Sequence, residues 1–565
     1  MKLNRQMPST GGSELASSQA RACAIPCVQR SSLATLGIAV FHSHAKKIIA
    51  VAINSCETLR QSRVGVSPHM RIFLRGGALL VALTTLGSLT VTASDRTWLQ
   101  IRSAHFRVVT DASEKRGIEV AAHCEQMRAA FSLLMAKSTA DDPAPLLIFA
   151  LKSQQEVDEL AQSRGRKLRH SGIFFPGTDQ SFILLDVSGD PWHTVFHEYA
   201  HELLHANTSA AVQTWFEEGF AEYFSTLTAN RKNTEIGQVP VGELQFLRQN
   251  GKMMRLADLV RVDQNSEIYN RNGPLQAAFY AQSWLLVHYL FDHQLINRAQ
   301  SFFLAMAAGT SLEQALMNAF GMGTEALEQE LLSYARSERF RFFSLPSVHA
   351  EEPPPMVEQM NEITASALRL EIRWHAWPEG SRGNAEPYVN EYRALLAQDP
   401  ANSSVLRGLG LALMEAGDYP QSLEYLRRAV EIEPGSALNH HALAELLRAM
   451  DSSAAEGSDH GLSVDREATA CTALEPHFAD AYQLRASAHA RQGDFNGAAS
   501  LMRQAIVLSP RTEGYKLNLA DLELKVRDYG PALALLHQLQ NSRDPEVVKR
   551  AEYFLSAQQS LVSGN

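Results

Sequence analysis

The chain is short of several things that narrow its function. Five cysteines in 565 residues, at positions 23, 27, 56, 124 and 471, form neither a metal-ligand spacing nor a dense disulfide framework, so thiol chemistry is set aside. It has no excess of positive charge: the formal net charge is −9, which argues against nucleic acid as a partner. Nor is there a long apolar run. The richest stretch, Ala78 to Leu89, is too short to span a bilayer, and no stable membrane span is expected in the mature chain. What remains, 45% apolar and 20% charged residues, is the composition of a globular protein with room for two to four domains.

The most informative stretch is PWHTVFHEYAH, residues 191–201, followed by WFEEGFAEYF at 215–224. His197, Glu198 and His201 spell H-E-x-x-H. On a helix the two histidines leave one face a turn apart and can share a metal, with Glu198 beside them to take a proton from water. Val195, Phe196, Tyr199, Ala200, Leu203 and Leu204 form the apolar stripe of that helix, and His197, Glu198, His201 and His205 fall off it. A second helical segment from near Ala211 brings Glu218 and Glu222, again one turn apart. Catalytic zinc takes three protein ligands and leaves one position open, and Glu218 is the candidate third ligand. The competing reading of the same residues is a solvated acidic helix pair. His193, His205 and His288 are read as structural or surface groups.

With these residues the chain resembles the gluzincin metallopeptidases, the peptidase MA-like group that includes aminopeptidase N. The family pattern is H-E-x-x-H and then W-x-x-E-G-F-A, and Trp215, Phe216, Glu218, Gly219, Phe220 and Ala221 stand in those places. The resemblance implies one Zn2+ on His197, His201 and Glu218, with Glu198 as general base. It gives Glu222 the role of bracing a zinc-bound histidine. It also implies an oxyanion-binding tyrosine at the head of the FYAQSWLLVHYL helix, which falls on Tyr280. Sixteen residues separate His201 from Glu218, slightly fewer than is usual, so the connection must be short. No G-x-M-E-N segment occurs upstream, so recognition of a free amino terminus is not implied.

Residues 70–93 read as a secretory signal: Arg71 and Arg75, a short apolar stretch, then Val91-Thr92-Ala93 as a cleavage site. Residues 1–69 are expected to be a non-native or disordered extension, with Met70 the true start and the product periplasmic or secreted. Residues 1–93 hold ten Lys or Arg against two acids; without them the chain would carry 42 basic and 59 acidic residues, a net −17.

From Trp98 the pattern alternates strand and helix, with Phe106–Thr110, Pro145–Leu151 and Ser181–Val187 as strands. Ser181–Asp186, just before the H-E-x-x-H helix, is the candidate edge for pairing with an extended substrate. Beyond Phe224 the catalytic part reads as almost entirely helical. The expected fold is therefore an α+β zincin-like catalytic domain over 94–343, with a small N-terminal α/β part and a helical C-terminal part. A linker over 344–384 and an all-α solenoid over 385–560 follow it.

The solenoid rests on a period. Gly417-Asp418-Tyr419, Gly493-Asp494-Phe495 and Asp528-Tyr529 recur with small alanines behind them, and Ala498 and Ala532 are 34 residues apart. This resembles tetratricopeptide (TPR) repeats, with a degraded unit and an insertion near 451–465. The resemblance implies a concave groove for a protein partner. Taken together, the expectation is an exported zinc peptidase acting on a peptide or protein substrate. Its rival is a catalytically silent adaptor that works through protein–protein contacts.

Overall fold

The computed structural model describes residues 2–6, 97–135, 146–161, 172–346, 354–376, 385–453 and 461–563, less residues 178, 209–211, 230–231, 251–252, 264–265, 271–272, 541 and 543. The signal segment 70–93 lies outside the described residues. Of the 1–69 extension only β1, Lys2–Gln6, is described, pairing antiparallel with the strand Phe340–Pro346.

Six strands make the main sheet: β2 (Trp98–Arg102), β3 (Arg107–Thr110), β4 (Leu146–Leu151), β5 (Gly172–Phe175), β6 (Ser181–Asp186) and β10 (Met356–Met360). Their order is β10-β2-β3-β4-β6-β5, with β3, β4 and β6 parallel and β5 returning antiparallel on β6. The central strands LLIFAL and SFILLD are apolar on both faces because both faces are covered. On one face Ile148, Ala150, Ile183 and Leu185 pack under the Glu114–Met135 helix and the H-E-x-x-H helix. On the other, Leu147, Phe149 and Leu184 pack under the helices Gln154–Ala161 and Glu362–His375.

Two expectations are corrected here. Ser181–Asp186 lies inside the sheet, between β4 and β5, and the free edge belongs to β5. The β5 sequence GIFF follows a basic stretch and is too short to show alternation, which hid it. Residues 344–384 are not simply a linker: Met356–Met360 is the opposite edge strand, and Ala365, Leu368 and Ile372 of the next helix are buried against the sheet. The proline-rich run masks a segment whose apolar residues are spent on two partners at once, since Ala367 and Leu370 of the same helix pack on the solenoid. The helical half after Phe224 also holds β7 (Thr228–Ala229), β8 (Asn233–Ile236) and β9 (Phe340–Pro346), which with β1 form a second sheet.

The C-terminal region is a TPR-like helical solenoid, built of the pairs Ser403–Glu415 with Tyr419–Ile432, Ala437–Ser453 with Gly461–Leu474, Ala479–Arg491 with Phe495–Leu508, and Glu513–Lys525 with Tyr529–Leu539. The repeated Gly-Asp turn has a local cause. Gly417 and Gly493 sit at φ 80° and 83°, and the Asp418 and Asp494 carboxylates accept amide hydrogen bonds as caps of the following helices. In the last repeat Arg527 takes the left-handed place at φ 65°. Ala429, Ala498, Ala505 and Ala532 are fully buried at the helix crossings. The expected insertion is shorter than 451–465: helix already resumes at Gly461.

One half-buried ion pair joins the segment between β5 and β6 to the bridging helix, with His375 Nε2 3.0 Å from each Asp179 carboxylate oxygen. Burial opposes the charge on His375, but the Asp179 carboxylate outweighs it and raises the imidazole to about 9. Burial also opposes ionisation of Asp179, yet His375 holds it well below the usual carboxylate range. The raised imidazole stabilises the fold fully below the ordinary histidine value of about 6.5, and that contribution is lost as pH rises through 9. The depressed carboxylate stabilises above its ordinary value of about 4 and loses that contribution as pH falls toward its folded pKa. Asp179 is 33% exposed, so solvent screening limits the pair to about 1–2 kcal/mol. The substitution Asp179→Asn is therefore expected to lower the melting temperature more at pH 6 than at pH 9.5. An equal loss at both would show that the pair carries no such charge.

Candidate metal centre

The first motif helix, Trp192–Asn207, directly follows β6; the second, Thr214–Ser225, packs against it. Phe196, Tyr199, Ala200 and Leu203 turn into the core together with Trp215, Phe216, Phe220 and Phe224. That burial fixes the rotation of both helices, leaving His197, His201 and Glu218 to face each other. Gly219 is required by the third helix, Pro274–Asp292: a Cβ at this position would stand 2.3 Å from the Ser283 carbonyl oxygen.

His197 Nε2 and His201 Nε2 are 3.2 Å apart. Glu218 Oε2 is 3.5 Å from the first and 3.9 Å from the second. Among the described residues this is the one group of three or more metal-ligating side chains whose ligand atoms gather this closely, all within 4.8 Å. Ligand atoms about 2.1 Å from a tetrahedral zinc are about 3.4 Å from one another, so the three could hold one such ion without rearrangement. Trapping two imidazole nitrogens and a carboxylate this way in a buried site matches the needs of a cation better than those of a solvated helix pair, since His197 and Glu218 are 3% and 4% exposed.

The carboxylates around this trio are placed by different neighbours. Glu198 Oε2 accepts the Phe174 amide of the edge strand at 2.9 Å. Burial, and next the Glu218 charge, push Glu198 up to about 8, with the Phe174 amide working the other way. Glu222 Oε1 lies 3.6 Å from His197 Nδ1, on the far side of the ring from the other ligands, and its Oε2 lies 3.4 Å from His193 Nε2.

Tyr280 sits in the Pro274–Asp292 helix, 8% exposed, with its ring 6.3 Å from that of Tyr269 and the planes 21° apart. The residue that reaches Glu218 is Tyr269, whose hydroxyl donates to Oε1 at 2.7 Å. Tyr269 was invisible to sequence reasoning: it lies 51 residues from Glu218 in the four-residue helix Glu267–Asn270, which carries no period or motif. His288 is structural, buried between the Tyr334 hydroxyl and the Gly237 carbonyl, and burial lowers it to about 4. His205, lowered to about 4 by burial and by Arg511, faces Phe174 and the solenoid. Arg511 of the solenoid donates to Thr208 Oγ1 and, at 3.3 Å, to Glu217 Oε1, so the repeats grip the ends of both motif helices. Among the described residues no helix is long and apolar enough to cross a membrane.

Residues 192–307, which contain both motif helices, Tyr269 and Tyr280, match the family described as Protein of unknown function (DUF1570). Residues 389–437 match the tetratricopeptide repeat family. No curated protein matches the chain. Solved structures similar to it include a thermophilic TPR protein of Thermus thermophilus, 21% identical, covering 34% of this chain and 98% of its own at a TM-score of 0.29. Another is the pilF protein of Pseudomonas aeruginosa, 16% identical, covering 36% and 89% at 0.29. A third is MamA from Desulfovibrio magneticus, 18% identical, covering 33% and 99% at 0.27.

Proposed function

We propose that the chain is an exported zinc-dependent peptidase of the gluzincin type, whose TPR-like solenoid serves protein–protein interaction. The observation that carries the proposal is the meeting of His197, His201 and Glu218 at 3.2–3.9 Å with the Glu198 carboxylate beside them. Zinc held by those three side chains supplies a Lewis acid and an activated water.

The remaining roles belong to the chain. The edge strand β5 offers main-chain groups to an extended peptide, laying it along the first motif helix. Phe174 engages Glu198 Oε2, so Oε1 is the atom free to take the proton of the attacking water and return it to the leaving amine. Glu222, 3.6 Å from His197 Nδ1, is the carboxylate that would brace that ring with Nε2 toward the ion. Tyr280 donates to the carbonyl oxygen as charge develops on it, and Tyr269 holds the second oxygen of Glu218. Tyr269→Phe is accordingly expected to weaken zinc retention about 10–100-fold in competition with a chromogenic chelator. Unchanged retention would reduce Tyr269 to packing.

Digestion of a peptide library tests the proposal: cleavage is expected to stop with a chelator and return with Zn2+. The adaptor reading is favoured by the tetratricopeptide match. Stoichiometric zinc without cleavage of any library member would select it, and a chain that binds no zinc would refute the peptidase.

A further inference from the structure

A cavity of about 1020 Å³ lies away from the metal centre, between the sheet and the solenoid. Its floor is the polar end of the sheet face that elsewhere carries Trp98, Val109 and Phe149, represented by Gln100, Arg102, Arg107 and Glu358. Its roof is made of turns between solenoid helices, with Arg407 reaching in from the helix Ser403–Glu415. In a chain of net charge −9, four arginines around one cavity, Arg102, Arg107, Arg128 and Arg407, call for a reason.

Three of the acids that line the cavity accept hydrogen bonds from neutral donors, and Glu433 also acts on the charges of Arg107 and Arg407. Gln100 donates to Glu358, Asn361 and Asn402 to Asp399, and Ser403 to Glu433. Partial burial raises Glu475, with His477 and Arg102 opposing. Of the arginines, Arg102 is exposed, while Arg107 is partly buried and Arg407 buried. Arg107 spends Nε on Gln100 at 2.7 Å, and among the described residues no acceptor meets its other nitrogens or any guanidinium nitrogen of Arg102. Arg407 is 4% exposed and pairs through Nη2 with Glu371 at 2.6 Å, but its Nε is buried without a partner among the described residues. Burial, and next the charges of Arg102 and Arg407, lower Arg107 to about 10, with Glu371 and Glu433 working the other way. A buried donor left without an acceptor is costly, and a carboxylate entering the cavity would supply several acceptors at once.

We propose that this cavity binds an acidic peptide segment through carboxylate groups held by Arg102, Arg107 and Arg407. A peptide, rather than a small carboxylate, is favoured by the wall: Glu358, Gln359 and Met360 line the cavity in succession. They belong to β10, one of the two edge strands of the sheet, which among the described residues pairs only with β2 and so can take an extended guest on its other side. The solenoid that forms the roof is a protein-interaction architecture, and the cavity exceeds what most small ligands fill. The proposal is independent of the metal centre and holds even if that centre has no activity.

The test uses the full chain treated with chelator, so that no probe is cleaved, and fluorescence polarisation of a pool of short Asp- and Glu-rich peptides. The acidic pool is expected to bind and its Asn- and Gln-substituted counterpart to bind at least about tenfold more weakly. Arg102→Gln, at a side chain with no hydrogen-bond partner to lose among the described residues, and the double variant Arg102→Gln/Arg107→Gln should weaken the acidic pool progressively, by at least about tenfold for the pair, with the melting temperature unchanged. Equal binding of both pools, indifference to the two substitutions, or no binding at all would overturn the proposal. Arginine-dependent binding of citrate without binding of the acidic pool would overturn it as well, assigning the cavity to small carboxylates.

Discussion

Replacing Glu198 by glutamine is expected to reduce peptide hydrolysis about 10²–10⁴-fold while zinc stays bound. The substitution keeps shape and volume in a buried position, and the glutamine carbonyl oxygen can still accept the Phe174 amide as Glu198 Oε2 does now. What disappears is the proposed proton acceptor, while the three proposed ligands stay in place. In barrier terms the loss amounts to about 3–5 kcal/mol, the share ordinarily carried by a positioned general base. The informative measurement is paired: metal content by atomic absorption and cleavage rate on one preparation. A variant that cleaves at the parental rate would remove Glu198 from the chemistry.

Glu218→Gln should act at the earlier step, on the metal itself. The carboxylate lies 3.5 and 3.9 Å from the two ligand nitrogens and is further fixed by Tyr269 at 2.7 Å. Exchanging it for an amide removes the only negative charge among the three proposed ligands, so retention should fall by more than the roughly 10–100-fold that an outer hydrogen-bond partner costs. Hydrolysis should fall in parallel and recover in part at high Zn2+. The fold is expected to survive, since the two motif helices are set by Phe196, Tyr199, Trp215 and Phe220 rather than by the carboxylate. Zinc bound as tightly as in the parent would exclude Glu218 as a ligand.

The two motif helices were legible in sequence because helical neighbours are local: four residues always return to the same face, whatever the rest of the chain does. For that reason His197 with His201, and Glu218 with Glu222, could be paired on paper. The apolar stripes also showed which sides would turn inward. TPR repeats were legible for a similar reason, since Gly493 and Asp494 form a turn and a cap from neighbouring residues alone. Strand β5 was not, being four residues long and defined only by the strand it pairs with.

The helix pair, the residue types able to ligate a metal and the period of the solenoid are all written locally in the chain. Each is written in intervals of a few residues or in a fixed repeat, and backbone geometry converts these directly into faces. Tertiary structure alone decided that β5 and not β6 holds the free edge, that Tyr269 meets Glu218 across 51 residues, and that Arg102 and Arg107 share a cavity with Arg407. Those contacts arise from how buried surfaces stack. No local interval encodes them, because the partners become neighbours only after the sheet, its covering helices and the repeats have packed together.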